Sequence, residues 1–194
     1  MRQIRAAYDD KTITVYQAYD PHIADPALAA QTFVSPFKRD RMTWIKPSFL
    51  WMMYRCGWAT KPGQARVLAV SITREGFEWA LANSCGSTPA QDETHDAWKQ
   101  RLADSLVRVQ WDPERSLRLG RLDHRSIQIG LSGDAVHRYV KEWITGIADV
   151  TPLAHQIAER IEAGALEQAR ELLPAERPYV LTEALAAHVK ADAD

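Results

Sequence analysis

The chain has 194 residues, 46% hydrophobic and 25% charged, a composition ordinary for one globular domain with a sizeable core. A formal net charge of -1 excludes a global field drawing nucleic acid or membrane surfaces, and two cysteines, Cys56 and Cys85, exclude a disulfide framework. No apolar run reaches the length of a membrane span and Met1-Arg2-Gln3-Ile4-Arg5 lacks a signal peptide's apolar stretch, so the expectation is a soluble, cytoplasmic protein.

Ile4 to Tyr8 reads as a short extended or helical opening. Thr12 to Tyr19 is rich in β-branched and aromatic residues and reads as a strand. Alternation puts Ile13, Val15, Gln17 and Tyr19 on one face, so Gln17 shares an apolar side and needs hydrogen-bond partners from the core or from a ligand. Asp25-Pro26 opens a helix over Ala27 to Thr32. Arg41 to Ile45 reads as a short strand running into a helix from Pro47 to Cys56, with Pro47 at its first position and Gly57 past its end.

Arg66 to Ile72 is a near-continuous apolar strand of the kind found inside a sheet. Glu75 to Asn83 reads as helix, Cys85 to Pro89 as a mobile loop, Asp92 to Leu102 as helix and Ser105 to Trp111 as a strand that Asp112-Pro113 stops. Arg125 to Leu131 alternates as a strand, and Ser132 caps a helix from Gly133 to Ile144. Beyond Thr151 the chain turns acidic and alanine-rich, with helices from Thr151, over Ala165 to Leu172 and over Tyr179 to Val189, and a frayed end from Lys190 to Asp194. The fold expected is α+β: a mixed, largely antiparallel sheet of five or six strands flanked by helices in residues 1–150, with a helical extension in 151–194.

Charge is unevenly placed: eight Lys or Arg against two acids lie between Pro36 and Glu75, and four against eight between Thr151 and Asp194. The basic region contains the stretch Arg41 to Arg55, where Arg41, Thr43, Lys46 and Ser48 approach a helix N-terminus, an arrangement suited to an anion. The alternative is a core helix whose cations snorkel to water. Cys56, among aromatics, reads as a small core residue. The phosphate-loop, dinucleotide-binding, nucleophile-elbow and zinc-protease motifs are absent and the six histidines lack metal-ligand spacing, so no metal is expected.

The polar residues on or beside strands are Arg5, Gln17, Tyr19, Arg41, Thr43, Lys46, Ser48, Arg55, Gln110, Arg125 and Gln128. Such a set recognises phosphates and hydrogen-bonds an amide or a sugar, while offering no evident nucleophile or general base. Asp112 and Glu114, beside Arg115, read as a salt-bridged turn.

Four segments, Val15 to Tyr19, Arg41 to Arg55, Trp111 to Arg115 and Arg125 to Leu131, resemble the signature segments of a bacterial and fungal family of domains of unknown function, over about residues 3 to 150. More loosely, the order of Val15-Tyr16-Gln17, the helix near Ile23, the strand running into a helix at Thr43 to Tyr54 and the strand at Val67 is similar to ADP-ribosyltransferases. That resemblance implies an ADP-ribosyltransferase-like fold with NAD as cofactor and a protein or nucleic-acid acceptor. It implies Gln17 where a His or Arg meets the ribose, Thr43 or Ser48 near nicotinamide, and Gln110 or Gln128 in the catalytic position. Arg41, Lys46 and Ser48 hold the pyrophosphate in this reading, with Tyr19 and Arg55 beside them. A second class of function stays open: a nucleic-acid-binding module in which Trp44, Trp51, Tyr54 and Trp58 stack bases among the cations of residues 38 to 61. Oligomeric state is not readable from the sequence.

Overall fold

The computed structural model describes residues 1–89 and 93–192. In chain order its elements are β1 (Arg5–Ala6), β2 (Thr12–Tyr19), α1 (Pro21–Ala30), β3 (Thr43–Ile45), α2 (Phe49–Cys56), β4 (Arg66–Thr73), α3 (Arg74–Ala82), β5 (Ser84–Gly86), α4 (His95–Asp104), β6 (Val107–Arg115), β7 (Arg121–Leu131), α5 (Asp134–Arg138), a π-helical turn (Tyr139–Trp143), β8 (Ile144–Asp149), α6 (Thr151–Glu162), α7 (Leu166–Glu171), β9 (Arg177–Pro178) and α8 (Glu183–Val189). The class is α+β, with mostly antiparallel pairing.

The strands divide into separate sheets instead of forming the single sheet expected. One has the order β2-β4-β8, a second β3-β7-β6-β5, and β1 pairs with β9. The two larger sheets meet where Tyr16 and Lys46 exchange backbone hydrogen bonds of 2.7 and 3.3 Å. Alternation along β2 and β4 explains the layering. Ile13 and Val15, opposite Ile72 and Val70, join the main core, which Val109, Ile127, Ile129 and Leu131 of the second sheet close from the other side. Tyr16 and Val67 point the opposite way into a second core, filled by Phe49, Met52 and Met53 of α2 and by Ala154 and Ile157 of α6. The first sheet is therefore covered on both faces, which is why β4 reads as a continuous apolar run. Each large aliphatic side chain so buried contributes roughly 1.5–3 kcal/mol.

Local chemistry shifts several boundaries. Helix α1 starts at Pro21, not after Asp25, because the Asp20 carboxylate accepts from the backbone N–H of His22 and Pro21 occupies the first turn. Ser48 caps α2 and Pro47 precedes the cap, so Pro47 is not the helix's first residue. Strand β6 runs through Pro113 to Arg115, with a register shift at that point, and is not stopped at Trp111. Ser84 to Gly86 is a strand parallel to β6, where a loop was expected.

The helix expected from Gly133 to Ile144 ends early in the π-helical turn, and Ile144 begins an edge strand against β4. Its cap also differs, since the Ser132 hydroxyl donates to the Leu106 carbonyl instead of capping. Helix α4 begins at His95, capped by Thr94; the expected start at Asp92 lies outside the described residues.

The C-terminal stretch enters the fold closely. Arg177 and Pro178 pair with Ala6 and Arg5, Tyr179 and Val189 are buried in the main core, and the Trp111 indole N–H donates to the Val189 carbonyl at 2.8 Å. Tyr179 thus precedes α8, which starts at Glu183 behind a Thr182 cap. Asp192, expected to fray, accepts from the backbone N–H of Arg2 through its carboxylate and donates its own N–H to the Arg2 carbonyl; Asp194 lies outside the described residues. No helix among the described residues is long and apolar enough to cross a membrane.

Candidate anion-binding pocket

Where β2 ends and β3 begins, the joined sheets leave a cavity of about 870 Å³. Its floor comes from Gln17 and Tyr19 of β2, Thr43 of β3, and Gln110 and Gln128 of β6 and β7. Its walls carry Arg41, Lys46 and Arg55, together with Lys38, Asp20, His22, Phe37, Met42, Trp44 and Met52. Of the nine residues to which the transferase resemblance gives a role, eight, all but Ser48, therefore line one cavity.

Gln17 is 2% exposed and its amide is engaged on both sides. Nε2 donates to Tyr19 Oη at 2.8 Å and to Thr43 Oγ1 at 2.6 Å, while Oε1 accepts from Tyr139 Oη at 2.7 Å. Tyr19 Oη and Thr43 Oγ1 are themselves 3.0 Å apart. Gln17 thus orients the tyrosine and the threonine. Desolvation raises the Tyr19 phenol to about 12, against the opposing hydrogen bond from Thr43, so it stays neutral at physiological pH. The need for partners that the sequence placed on Gln17 is met largely inside the protein.

Lys46 is different. It is 6% exposed, and its ammonium makes one long hydrogen bond, 3.4 Å to the Trp44 carbonyl. Among the described residues neither Lys46 nor Arg41 nor Arg55 has a carboxylate within ion-pair distance. Burial pulls the Lys46 amine down to about 8, Arg55 adds repulsion, and Asp112 partly offsets both. Lys46 is held there because its backbone joins the two sheets at Tyr16, so the position is set by strand pairing and not by the side chain's own preference.

Asp112, read from sequence as part of a salt-bridged turn, is a strand residue with no ion pair among the described residues. Its Oδ1 accepts from Gln110 Nε2 at 2.8 Å and its Oδ2 from Gln128 Nε2 at 2.7 Å. Gln110 and Gln128 are cross-strand partners and Asp112 lies two residues on from Gln110, so one face of the hairpin presents all three. That spacing was the available signal. Gly130 belongs to the same construction: a Cβ there would come within 2.8 Å of Met42 Sδ and 3.0 Å of the Trp44 ring, which cross β7 at this point.

Ser48 lies apart from the cavity. Its hydroxyl accepts from the Trp51 N–H at 3.1 Å, and the Glu176 carboxylate accepts from the Phe49 N–H at 2.7 Å. Glu114 stands beside Ser48. The N-terminus of α2, expected to meet an anion, has its N–H groups taken by the Ser48 hydroxyl and the Glu176 carboxyl, and Ser48 is a cap. Desolvation raises Glu176 to about 8, against the Phe49 hydrogen bond, with Glu114 adding repulsion; Glu114 is itself raised by burial.

The aromatics proposed as base-stacking platforms are largely occupied. Trp51 is 5% exposed and stacks on Tyr54 with ring centroids 5.1 Å apart. The Arg115 guanidinium covers Tyr54 at 3.5 Å, and Trp58 meets Phe49 edge-on at 6.3 Å. Arg5 and Arg125 also point elsewhere, Arg5 to the Glu176 carbonyl and Arg125 to the Trp111 carbonyl. No cluster of His, Cys, Asp and Glu among the described residues is arranged to hold a metal ion.

A family model described as a domain of unknown function (DUF4291) matches residues 3–179, extending past the four segments into the C-terminal stretch that carries Glu176. None of the curated proteins matches the chain.

Proposed function

The chain belongs to the DUF4291 family, and we propose that its pocket binds a nucleotide, NAD in the first instance, and transfers ADP-ribose to a protein or nucleic-acid acceptor. The observation that carries this reading is Lys46, a buried amine lining a ligand-sized cavity beside Arg41 and Arg55 and without a carboxylate partner among the described residues. An uncompensated buried cation gains most from an anion that completes its hydrogen bonds. The likeness to ADP-ribosyltransferases, in fold as in activity, belongs to this proposal.

In it, Arg41, Lys46 and Arg55 take the pyrophosphate, and Tyr19 and Thr43, fixed by Gln17, meet the ribose and nicotinamide. Cleavage of the glycosidic bond sends its electron pair to the ring nitrogen, releases neutral nicotinamide and builds positive charge on the ribose carbon. The Asp112 carboxylate, oriented by the Gln110 and Gln128 amides, supplies negative charge for that carbon. The acceptor then bonds to it and gives up a proton. The test is nicotinamide release from NAD by the purified protein, with Asp112→Asn, at the cost of one of its two glutamine hydrogen bonds, lowering the rate by about 10²–10³ in a protein that stays folded. Absence of release by the wild type, with and without protein or RNA acceptors, overturns the reading.

A further inference from the structure

We propose that the Lys46 amine is a nucleophile that forms an imine with phosphorylated aldehydes, aldose phosphates or pyridoxal phosphate among them, whose phosphate is held by Arg41 and Arg55. This goes beyond nucleotide binding and does not depend on NAD being the pocket's ligand.

The geometry carries it. Lys46 lines a cavity of about 870 Å³, yet is 6% exposed and gives its ammonium one acceptor, 3.4 Å away. An ammonium has three donors and keeps its proton best with water or a carboxylate around it. Here the cost falls on the charged form, and the neutral amine with its free lone pair is the form the surroundings accept. The groups facing it are Arg55 and Cys56 from α2 and Asp112 from β6. Arg55 disfavours the proton, Asp112 favours it, and Cys56 has its thiol pushed up by burial. Burial thus leaves Lys46 with a larger neutral fraction at pH 8 than an exposed lysine keeps.

The chemistry balances without a further reagent. The amine nitrogen bonds to the aldehyde carbon, the carbonyl oxygen takes up a proton, and the carbinolamine loses that oxygen as water to give the imine. The two protons that leave the nitrogen balance the water lost, and Asp112, whose charge acts on the amine from beyond ion-pair distance, favours the protonated forms along the way. Arg41 and Arg55 line the same cavity and supply the charge that selects a phosphorylated aldehyde over a neutral one. The open-chain form of ADP-ribose falls within this class.

The experiment treats the full chain with pyridoxal 5′-phosphate or ribose 5-phosphate at pH 8, reduces with borohydride and maps the adducts by peptide mass spectrometry. Lys46 is expected to label about tenfold or more faster than exposed Lys11, Lys99 and Lys141. Pyrophosphate slows that labelling, pyridoxal without its phosphate labels Lys46 less, and Lys46→Arg loses the fast-forming adduct. Labelling of Lys46 no faster than the exposed lysines, or an undiminished fast phase in Lys46→Arg, overturns the proposal. The comparison among lysines is made in the wild type, so it stands even where a variant fails to fold. Fast labelling without nicotinamide release upholds this inference and rejects the transferase reading; release without fast labelling does the reverse.

Discussion

Lys46 and Ser48 are two residues apart, both buried, and both in the stretch where the sequence suggested an anion site. Their surroundings are opposite. At Ser48 the helix N–H groups are taken by the Ser48 hydroxyl and the Glu176 carboxyl, so their acceptors are built in. At Lys46 the charge is buried against a cavity without a carboxylate in ion-pair distance among the described residues. A cation, a hydroxyl and a helix start can thus be close in sequence while a distant segment, here residues around Glu176, supplies the partner of one and not of the other.

Glu176 and Lys46 differ most in how they respond to pH. The folded chain keeps a proton on Glu176 that the unfolded chain has lost above its ordinary value of 4.5, so stability falls as pH rises from 4.5 through about 8. We expect a loss of about 2–4 kcal/mol across that window in urea titrations, largely removed by Glu176→Gln. A profile that is flat or rises there, and is the same in the variant, means the carboxyl is not held neutral at the α2 cap.

Lys46 carries the opposite sign. Its amine is lowered from 10.5 to about 8, so the folded state pays for the charge below pH 8 and gains stability as pH rises from 8 to 10.5. Lys46→Met is expected to raise stability at pH 7 by about 1–3 kcal/mol and to abolish any melting shift with pyrophosphate. Destabilisation by the same change would mean that the amine is part of the scaffold. Arg41→Ala sharpens the contrast, with a loss of about 1.5–3 kcal/mol in ligand affinity and stability within about 0.5 kcal/mol of wild type. Smallest is Ser48→Ala, which removes a cap at about 1 kcal/mol and leaves ligand shifts unchanged.

Much of the site was legible because strand alternation places side chains by parity. Gln17 and Tyr19 on β2, and Gln128 on β7, follow from period two alone. Joining them needed the long-range pairing of Tyr16 with Lys46, which leaves no local mark. Asp112 was misread because proline is a poor strand residue, yet β6 accommodates Pro113 at a register shift near the sheet's end. Strand β8 was hidden because the helical pattern after Gly133 runs on to Trp143, and the π-helical turn that ends it has no distinctive composition. Glu176, in an acidic helical stretch, gave no hint that it caps a helix 127 residues away.

Titration calorimetry with NAD tests most directly whether the Lys46 pocket binds an anion. At pH 8.5, in buffers of differing ionisation enthalpy, the wild type is expected to bind with net uptake of protons, because the phosphate restores the charge on Lys46. Arg41→Ala is expected to bind about 10- to 100-fold more weakly. Absence of heat with millimolar NAD, ADP-ribose or pyrophosphate, or binding without proton uptake that is indifferent to Arg41→Ala, would contradict the account.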